Sequence, residues 1–145
     1  MKAFTAINRL LIADRDKFSL TLYKRPLLSS KFEVMYSYSI AVGRAGYETP
    51  SGLYLIRQRS DCPTWTMPDS DWVEPQLRGV VIPCGDPANP IRARWLGIHD
   101  GVGIHGTLER ESIGTAASHG CLRMLVEDVI ELYPQVPKNT PIYIV

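Results

Sequence analysis

The sequence has no long hydrophobic run near its start. The longest apolar stretch there covers residues 10–13 and is followed at once by Asp14, Arg15 and Asp16. Such a stretch is too short for a signal-peptide core or a transmembrane helix. We therefore expect no membrane insertion by this segment.

The chain also lacks an excess of charge of either sign. Its 16 lysines and arginines balance 15 acidic residues, which leaves a formal net charge of +1. This balance produces no overall field that would attract nucleic acid or an anionic membrane. We expect no nucleic-acid partner, and binding partners must be inferred from a local site.

Cysteine and histidine are scarce, with three residues of each. His99, His105 and His119 follow no zinc-binding spacing, and the cysteines form no Cys-x-x-Cys pair. The pattern therefore predicts no metal site, and we expect no cofactor.

Length and composition are those of one globular domain. The 145 residues, of which 45% are hydrophobic and 21% charged, are enough for a single core. No repeat, low-complexity segment or linker divides the chain, so we predict one domain over residues 1–145. Strand-like runs separated by turn residues fill the first part and predict an antiparallel meander, with strands at residues 9–13, 18–23, 32–42 and 53–57.

The second part of the chain contains one amphipathic pattern. Val126, Val129, Ile130 and Tyr133 recur at helical spacing, and Pro134 is expected to end that helix. Residues 141–145 then read as a closing strand. The sequence predicts a mainly β fold with one or two helices.

One motif sets a cysteine among histidines and a glycine. It runs Ser118-His119-Gly120-Cys121-Leu122-Arg123-Met124, and Ile104-His105-Gly106-Thr107 lies a short way upstream. A cysteine with a pKa of ~8.5 is only a few per cent thiolate at neutral pH, so acyl chemistry needs a neighbouring imidazole to take its proton. His105 and His119 are the candidates for that base. The amides of Gly120 and Cys121 are candidate donors to an oxyanion, because glycine lets a substrate carbonyl approach the backbone.

Several segments, in this order, resemble the signature of the YkuD-type L,D-transpeptidases, which are bacterial enzymes that remodel peptidoglycan. The matching segments are Thr49-Pro50-Ser51-Gly52, Pro63-Thr64-Trp65, Trp95-Leu96-Gly97, Gly103-Ile104-His105-Gly106-Thr107, Ser112-Ile113-Gly114, the cysteine motif and Glu127-Asp128. The resemblance covers most of the chain, from about residue 10 to residue 145. It implies a β-sandwich-like L,D-transpeptidase (YkuD) fold with the cysteine at the mouth of the sheet.

The resemblance also implies the principal site residues. Cys121 matches the nucleophile of the family, His105 matches its general base, and Gly106 matches the position whose backbone carbonyl orients that imidazole. This triad contains no carboxylate. Asp100 is the alternative orienting group, but nothing in the sequence places its side chain at the ring.

The residues that flank the nucleophile have supporting roles. We expect Ser118 to brace the loop through its hydroxyl group. His119 either positions the loop or donates to substrate. Arg123 either forms a structural ion pair or binds a carboxylate of the stem peptide, for which guanidinium is the preferred partner. We read Thr49, Pro50 and Gly52 as structural.

Residues 61–95 are predicted to form a long irregular lid over the site. Their many prolines and turn residues exclude long regular elements, and long ordered loops in small domains are often binding loops. Trp65, Trp72 and Trp95 lie in or beside this region. They either pack under the loop or contact glycan or peptide.

The two remaining cysteines form a possible pair. If Cys121 is the nucleophile, then Cys62 and Cys84 are left as an even pair, and a disulfide between them suits an oxidising compartment. The alternative is two unrelated thiols.

The function implied by the resemblance is L,D-transpeptidation of peptidoglycan. The thiol attacks the carbonyl of the third residue of a donor tetrapeptide stem, D-Ala leaves, and the acyl group passes to an amine of an acceptor stem in a 3→3 cross-link. The alternatives are hydrolysis of the same acyl-enzyme, as in an L,D-carboxypeptidase or a wall-cleaving toxin, and a catalytically silent wall-binding module.

Partners and location follow from this function. Donor and acceptor stem peptides and carbapenem-type inhibitors are the expected ligands, and the site of action is extracytoplasmic, in the cell wall or periplasm. Because the sequence as given carries no export signal, we expect it to be the catalytic domain of a longer exported protein, the alternative being a chain exported by other means.

Overall fold

The fold is mainly β and is taken from a computed structural model that describes residues 8–145. The first seven residues of the predicted domain lie outside the described residues. The strands, in chain order, are β1 (Arg9–Asp14), β2 (Ser19–Lys24), β3 (Glu33–Ser39), β4 (Val42–Gly43), β5 (Gly52–Leu55), β6 (Gln58–Asp61), β7 (Trp65–Thr66), β8 (Val81–Ile82), β9 (Arg92–His99), β10 (Val102–Thr107), β11 (Ala116–Ser118), β12 (Leu122–Leu125) and β13 (Pro141–Ile144). Within residues 8–145 there is one α-helix, α1 (Val126–Leu132).

A five-stranded sheet with the order β3-β2-β1-β13-β5 forms one layer. Strands β1, β2 and β3 are antiparallel neighbours, as the meander prediction requires. The closing strand β13 lies parallel to β1 and antiparallel to β5, so β5, the last strand of the predicted meander, lies beside β13 and not beside β3. The meander is therefore correct for the first three strands only, because a pairing between the two ends of the chain leaves no local pattern.

The predicted strand over residues 32–42 is two strands in the structure. β3 ends at Ser39, and the chain then leaves the first sheet. Ala41 exchanges two backbone hydrogen bonds with Arg123, of 2.9 and 3.0 Å, and β4 continues alongside β11. This crossing ties the first half of the chain to the strand that follows the cysteine.

A second sheet of four strands, with the order β12-β10-β9-β6, packs against the first. Strands β10 and β12 are parallel, while β9 runs antiparallel to both of its neighbours, β10 and β6. The two sheets and α1 share one apolar core, which includes Leu11, Leu20, Leu22, Ile142 and Ile144 from the first sheet and Leu96, Ile98, Ile104, Leu122 and Met124 from the second. Burial of each such side chain contributes about 1.5–3 kcal/mol.

Helix α1 differs in detail from its predicted apolar stripe. Val129 and Leu132 are the fully buried residues, whereas Ile130 is 44% exposed. The helix is only seven residues long, so two side chains one turn apart are enough to seat it on the second sheet. No helix within residues 8–145 has the length and apolar character needed to cross a membrane.

Residues 62–91 form an excursion between β6 and β9, which we call the covering segment. The predicted bounds of 61–95 for the irregular region were too wide, since Asp61 belongs to β6 and residues 92–95 belong to β9, and the role of this region as a lid stays a prediction. A short hairpin of β7 and β8 lies within the segment. The buried side chain of Asn89 organises it, because its Nδ2 donates to the carbonyls of Pro63, Ile82 and Pro83 and its Oδ1 accepts from the amide of Ile91.

A disulfide between Cys62 and Cys84, whose Cα atoms are 5.4 Å apart, joins the start of the covering segment to the residues that follow β8. This separation lies in the usual range for a bridged pair. The geometry supports the pairing over two unrelated thiols, and its formation in solution stays a prediction.

We expect protein produced in an oxidising compartment to hold one free thiol, that of Cys121. On the chain-entropy model, the bridge over 22 residues adds roughly 3 kcal/mol to the free energy of unfolding. Thiol titration of the unfolded, unreduced protein and denaturant unfolding of a Cys62→Ser/Cys84→Ser variant measure both quantities. Three titratable thiols in the wild-type protein would contradict the pairing.

Candidate active site

A cavity of about 540 Å³ lies on the outer face of the second sheet and is lined in part by residues of the covering segment. Its floor contains Cys121, His105 and Arg123, and Trp65 and Trp72 contribute from the covering segment. The structure therefore brings the cysteine motif, the upstream histidine and the predicted lid to one place, although they are up to about 60 residues apart in sequence.

Alternation along two parallel strands puts the reactive side chains on one face. Ile104 pairs with Leu122 in the ladder and both are fully buried in the core, while His105 pairs with Arg123. Because successive side chains in a strand point to opposite faces, His105 and Arg123 point away from the core. Cys121 precedes Arg123 by two residues and lines the same cavity.

His105 is held in one tautomer by a backbone carbonyl. Its Nδ1 lies 2.8 Å from the carbonyl oxygen of Gly106, and since a carbonyl only accepts, Nδ1 carries the proton and Nε2 keeps its lone pair. Burial lowers the pKa of His105 from 6.5 to about 4, with a smaller lowering from the positive charge of Arg123. The imidazole is therefore neutral at pH 7.

Gly106 is required to be glycine by close packing on its core side. A Cβ atom there would lie 2.6 Å from the carbonyl oxygen of Arg92 and 3.1 Å from Cγ1 of Val129. The ladder between β9 and β10 also shifts register between His105 and Gly106. A side chain at this position would push β10 away from β9 and α1. The carbonyl of Gly106, which orients His105, would be displaced together with the strand.

Asp100, the alternative orienting group, is engaged elsewhere. Its Oδ2 lies 3.0 Å from Nε2 of His99, whereas the orienting bond of His105 goes to Gly106. This arrangement supports the carbonyl rather than the carboxylate as the partner of the imidazole.

The thiol of Cys121 is half-buried beside β10. Its Sγ donates to the carbonyl oxygen of Gly101 at 3.5 Å. Burial raises the pKa of the Cys121 thiol, and a hydrogen bond from the backbone amide of Gly103 and the charge of Arg123 oppose that rise. The resting site thus pairs a neutral thiol with a neutral imidazole.

Residues 118–121, which we call the cysteine loop, are fixed by two hydroxyl groups. The buried Ser118 donates from Oγ to the carbonyl of Cys121 at 2.6 Å and accepts from the amide of Gly120 at 3.1 Å. Thr49 donates from Oγ1 to the carbonyl of Gly120 at 2.7 Å and accepts from the amide of Gly43 at 2.9 Å. Both contacts agree with bracing roles for Ser118 and Thr49.

The amide of Gly120 is not free to receive an oxyanion in this structure, because it already donates to Ser118. The glycine is needed for another reason. Its φ of +129° lies in a region that residues with a Cβ rarely adopt. Of the two amides that the sequence suggested as oxyanion donors, that of Cys121 is the one left as candidate.

Two glycines seat Trp95 beside the histidine. Cβ atoms at Gly97 and Gly103 would lie 2.9 and 2.5 Å from atoms of the Trp95 indole, so the ring occupies the space that side chains would fill. Its centroid is 6.1 Å from that of His105. Trp95 therefore belongs to β9 and packs beside the imidazole of His105. The sequence had assigned it to the lid region instead.

Arg123 is held at the cavity by an acidic residue that the sequence analysis missed. Its Nη1 lies 3.0 Å from Oε2 of Glu109, and only 15% of its side chain is exposed. Because a guanidinium has five N–H donors, this bond leaves donors for a second carboxylate. The geometry accommodates both roles considered for Arg123.

The hydrogen bonding of His119 argues against a role as the general base. Arg44 donates from Nη2 to His119 Nε2 at 3.2 Å, and since guanidinium only donates, the lone pair of the neutral ring is occupied. Arg44, Tyr47 and Asp71 surround this ring system, and nothing in the sequence pattern marks them as part of the site.

Among residues 8–145 no cluster of three histidine, cysteine or acidic side chains suitable for a metal ion is found.

Comparison with known proteins identifies what this arrangement is similar to. The family model of the L,D-transpeptidase catalytic domain, YkuD, matches residues 8–144. The putative L,D-transpeptidase YqjB of Bacillus subtilis is 33% identical over 81% of this chain and 62% of its own length. The putative L,D-transpeptidase YkuD of the same organism is 37% identical over 81% of this chain and 57% of its own length. This chain thus spans about three fifths of these relatives.

Solved structures show the same fold at low sequence identity. L,D-transpeptidase 3 from Mycobacterium tuberculosis, in complex with a faropenem-derived adduct, superposes with a TM-score of 0.68 at 17% identity over 94% of this chain and 60% of that chain. This match supports the predicted transpeptidase-like β fold.

Protonation of His105 should make folding pH-dependent. Its pKa falls from 6.5 to about 4 on folding, so between those values the unfolded state binds more protons and stability is lost as pH falls. At 1.36 kcal/mol per pKa unit, the loss is about 3 kcal/mol between pH 7 and pH 4. Denaturant unfolding of wild type and His105→Asn across this range measures it, with the exposed His99→Asn as control. An identical pH dependence in wild type and His105→Asn would contradict the assignment.

Proposed function

The chain belongs to the YkuD family of L,D-transpeptidase catalytic domains, and on this basis we propose that it is a cysteine acyltransferase acting on peptidoglycan stem peptides. The observation that carries the proposal is that Cys121 and His105 line one cavity, and that the bond between Nδ1 of His105 and the carbonyl of Gly106 leaves Nε2 as the nitrogen that can accept a proton. Residues 8–145 act as one catalytic domain in this proposal, with residues 62–91 as its lid.

The first half-reaction is acylation of Cys121. The thiol proton passes to Nε2 of His105 as sulfur attacks the carbonyl carbon of the third stem residue and a C–S bond forms. The negative charge on the carbonyl oxygen is stabilised by the amide of Cys121. Collapse breaks the C–N bond, His105 returns the proton to the leaving amine of D-Ala, and a thioester remains.

The second half-reaction transfers the acyl group to an amine. The side-chain amine of an acceptor stem gives a proton to His105, attacks the thioester and forms a C–N bond. The C–S bond breaks and the proton returns to sulfur, which restores the thiol and yields a 3→3 cross-link. If water is the acceptor, the same acyl-enzyme gives L,D-carboxypeptidase or wall-cleaving activity.

The neutral resting pair explains why the imidazole is required. A thiol whose pKa is raised by burial is not a thiolate before substrate arrives, so proton transfer must accompany attack. His105 is a weak base in the buried site, and general-base catalysis of this kind contributes ~10²–10⁴-fold. Positioning of the donor in the cavity supplies much of the remaining acceleration.

The family also suggests where the reaction takes place and which inhibitors bind. Peptidoglycan stems place the reaction outside the cytoplasmic membrane, so the protein works in the cell wall or periplasm. The solved structure of the L,D-transpeptidase LdtMt1 in complex with imipenem, a carbapenem, supports carbapenem-type compounds as covalent ligands of Cys121.

Removal of the thiol should abolish turnover. We expect Cys121→Ala and Cys121→Ser to release no D-Ala from a disaccharide-tetrapeptide, because a hydroxyl ionises far less than a thiol, and His105→Ala to lose ~10²–10⁴-fold. Circular dichroism and thermal unfolding check that the fold persists. His99→Ala, outside the cavity, is the control. Wild-type rates of D-Ala release in Cys121→Ala would overturn the proposal.

Mass spectrometry of the same mixtures identifies the acceptor. A dimer linked between two third residues means transfer to an amine, and a free tripeptide that carries ¹⁸O from labelled water means hydrolysis. A wild-type protein that releases no D-Ala and forms no adduct would favour the silent wall-binding module.

Replacement of Arg123 should affect both binding and the thiol. Arg123 lowers the pKa of Cys121, so Arg123→Met should raise that pKa and also raise KM for the tetrapeptide, whereas Arg123→Lys should retain most of the pKa effect. The pH dependence of Cys121 alkylation by a haloacetamide and the donor KM are measured, with Arg110→Met as control. An unchanged pKa and KM in Arg123→Met would restrict this residue to its ion pair with Glu109.

A further inference from the structure

The imidazole of His119 joins the cysteine loop to the covering segment. Its ring stacks on Trp72 with a centroid separation of 3.8 Å and an interplanar angle of 6°. The edge of the same imidazole meets Tyr47 at 5.1 Å and 85°. His119 therefore lies between one aromatic ring of the covering segment and another of the loop after β4.

A hydrogen bond one residue from the stack makes a second connection. Tyr47 donates from Oη to Asp71 Oδ1 at 2.7 Å, and Asp71 precedes Trp72. Trp65 lies beyond Trp72, with ring centroids 6.5 Å apart and planes 16° from parallel. The covering segment is thus attached at two adjacent residues, by Trp72 to the cysteine loop and by Asp71 to the loop after β4.

The protonation state of His119 fits a packing role. Its Nε2 accepts from Arg44, and the guanidinium of Arg44 also lies 5.1 Å from the Tyr47 ring centroid. The neutral ring then has no free lone pair to accept a proton from Cys121. His105, whose Nε2 keeps its lone pair, lines the same cavity as the thiol.

We propose that His119 is a positioning residue, which holds the covering segment over Cys121 by stacking on Trp72, and that it does not transfer protons. The inference rests on the proposed function only for the identity of the substrate that the closed cavity binds. In this proposal the imidazole of His119 keeps the covering segment in place and does not touch the reacting atoms.

Substitutions that separate ring from proton test this role. His119→Ala removes both, whereas His119→Phe keeps a flat ring and has no titratable nitrogen. Trp72→Ala removes the partner from the other side. His99→Ala is the matched control, because His99 also stacks on an aromatic ring, that of Tyr54, with centroids 5.6 Å apart, and lies outside the cavity.

Hydrogen exchange over residues 62–91 measures the attachment without any substrate. An aromatic pair is worth roughly a two- to tenfold change in an equilibrium. We expect His119→Ala and Trp72→Ala each to speed exchange of this segment by about that factor, the double variant to add little, and His119→Phe and His99→Ala to remain near wild type. Unchanged exchange in both His119→Ala and Trp72→Ala would overturn the proposal.

Kinetics separates positioning from proton transfer. We expect His119→Ala to raise KM for the tetrapeptide more than it lowers kcat. Alkylation of Cys121 by a small haloacetamide should be as fast as in wild type or faster. His119→Phe should restore KM. A kcat that falls equally in His119→Ala and His119→Phe, with normal exchange in His119→Phe, would assign proton transfer to His119 and refute the proposal. A wild-type protein inactive on the tetrapeptide would refute the proposed substrate instead, because the exchange result does not depend on it.

Discussion

The alternation of side chains along β10 and β12 is the constraint on which the site depends. Ile104 and Leu122 are ladder partners buried in the core, and their burial fixes the register of two parallel strands. His105 and Cys121, one residue away from them, are thereby placed on the opposite face. A slip of one residue would turn both reactive groups into the core and two aliphatic side chains into the cavity, so the same hydrophobic contacts that stabilise the sandwich also assemble the site.

Burial of the imidazole has an electrostatic consequence for the chemistry. A carbonyl, that of Gly106, orients His105, and it carries no full charge that would stabilise an imidazolium as a carboxylate does. The lowered pKa of His105 and the raised pKa of Cys121 both favour the uncharged pair. In the proposed mechanism, charge separation is therefore confined to the moment of attack, when the tetrahedral oxygen and the imidazolium form together, and the Cys121 amide is the candidate donor to that oxygen.

Features that depend on residues close together in the chain could be predicted from the sequence, and contacts between distant segments mostly could not. The motif around Cys121, the strands β1 to β3 and the helix after the cysteine were predictable, because each depends on residues close together in the chain. The place of β13 between β1 and β5, the stack of Trp72 on His119 and the bond of Glu109 to Arg123 each join segments brought together only by folding. The amide of Gly120 is a local exception, because the Ser118 hydroxyl that occupies it is only two residues away, yet the orientation of that hydroxyl has no sequence signal.

Covalent trapping of the nucleophile tests the central claim most directly, which is that Cys121 forms an acyl-enzyme with the help of a neutral His105. The protein is incubated with a carbapenem, its intact mass is measured, and the modified residue is located by peptide mapping. The account predicts one added carbapenem mass per chain, located on Cys121, with acylation strongly slowed when His105 is replaced by alanine. An unmodified protein, or an adduct on any other residue, would contradict it.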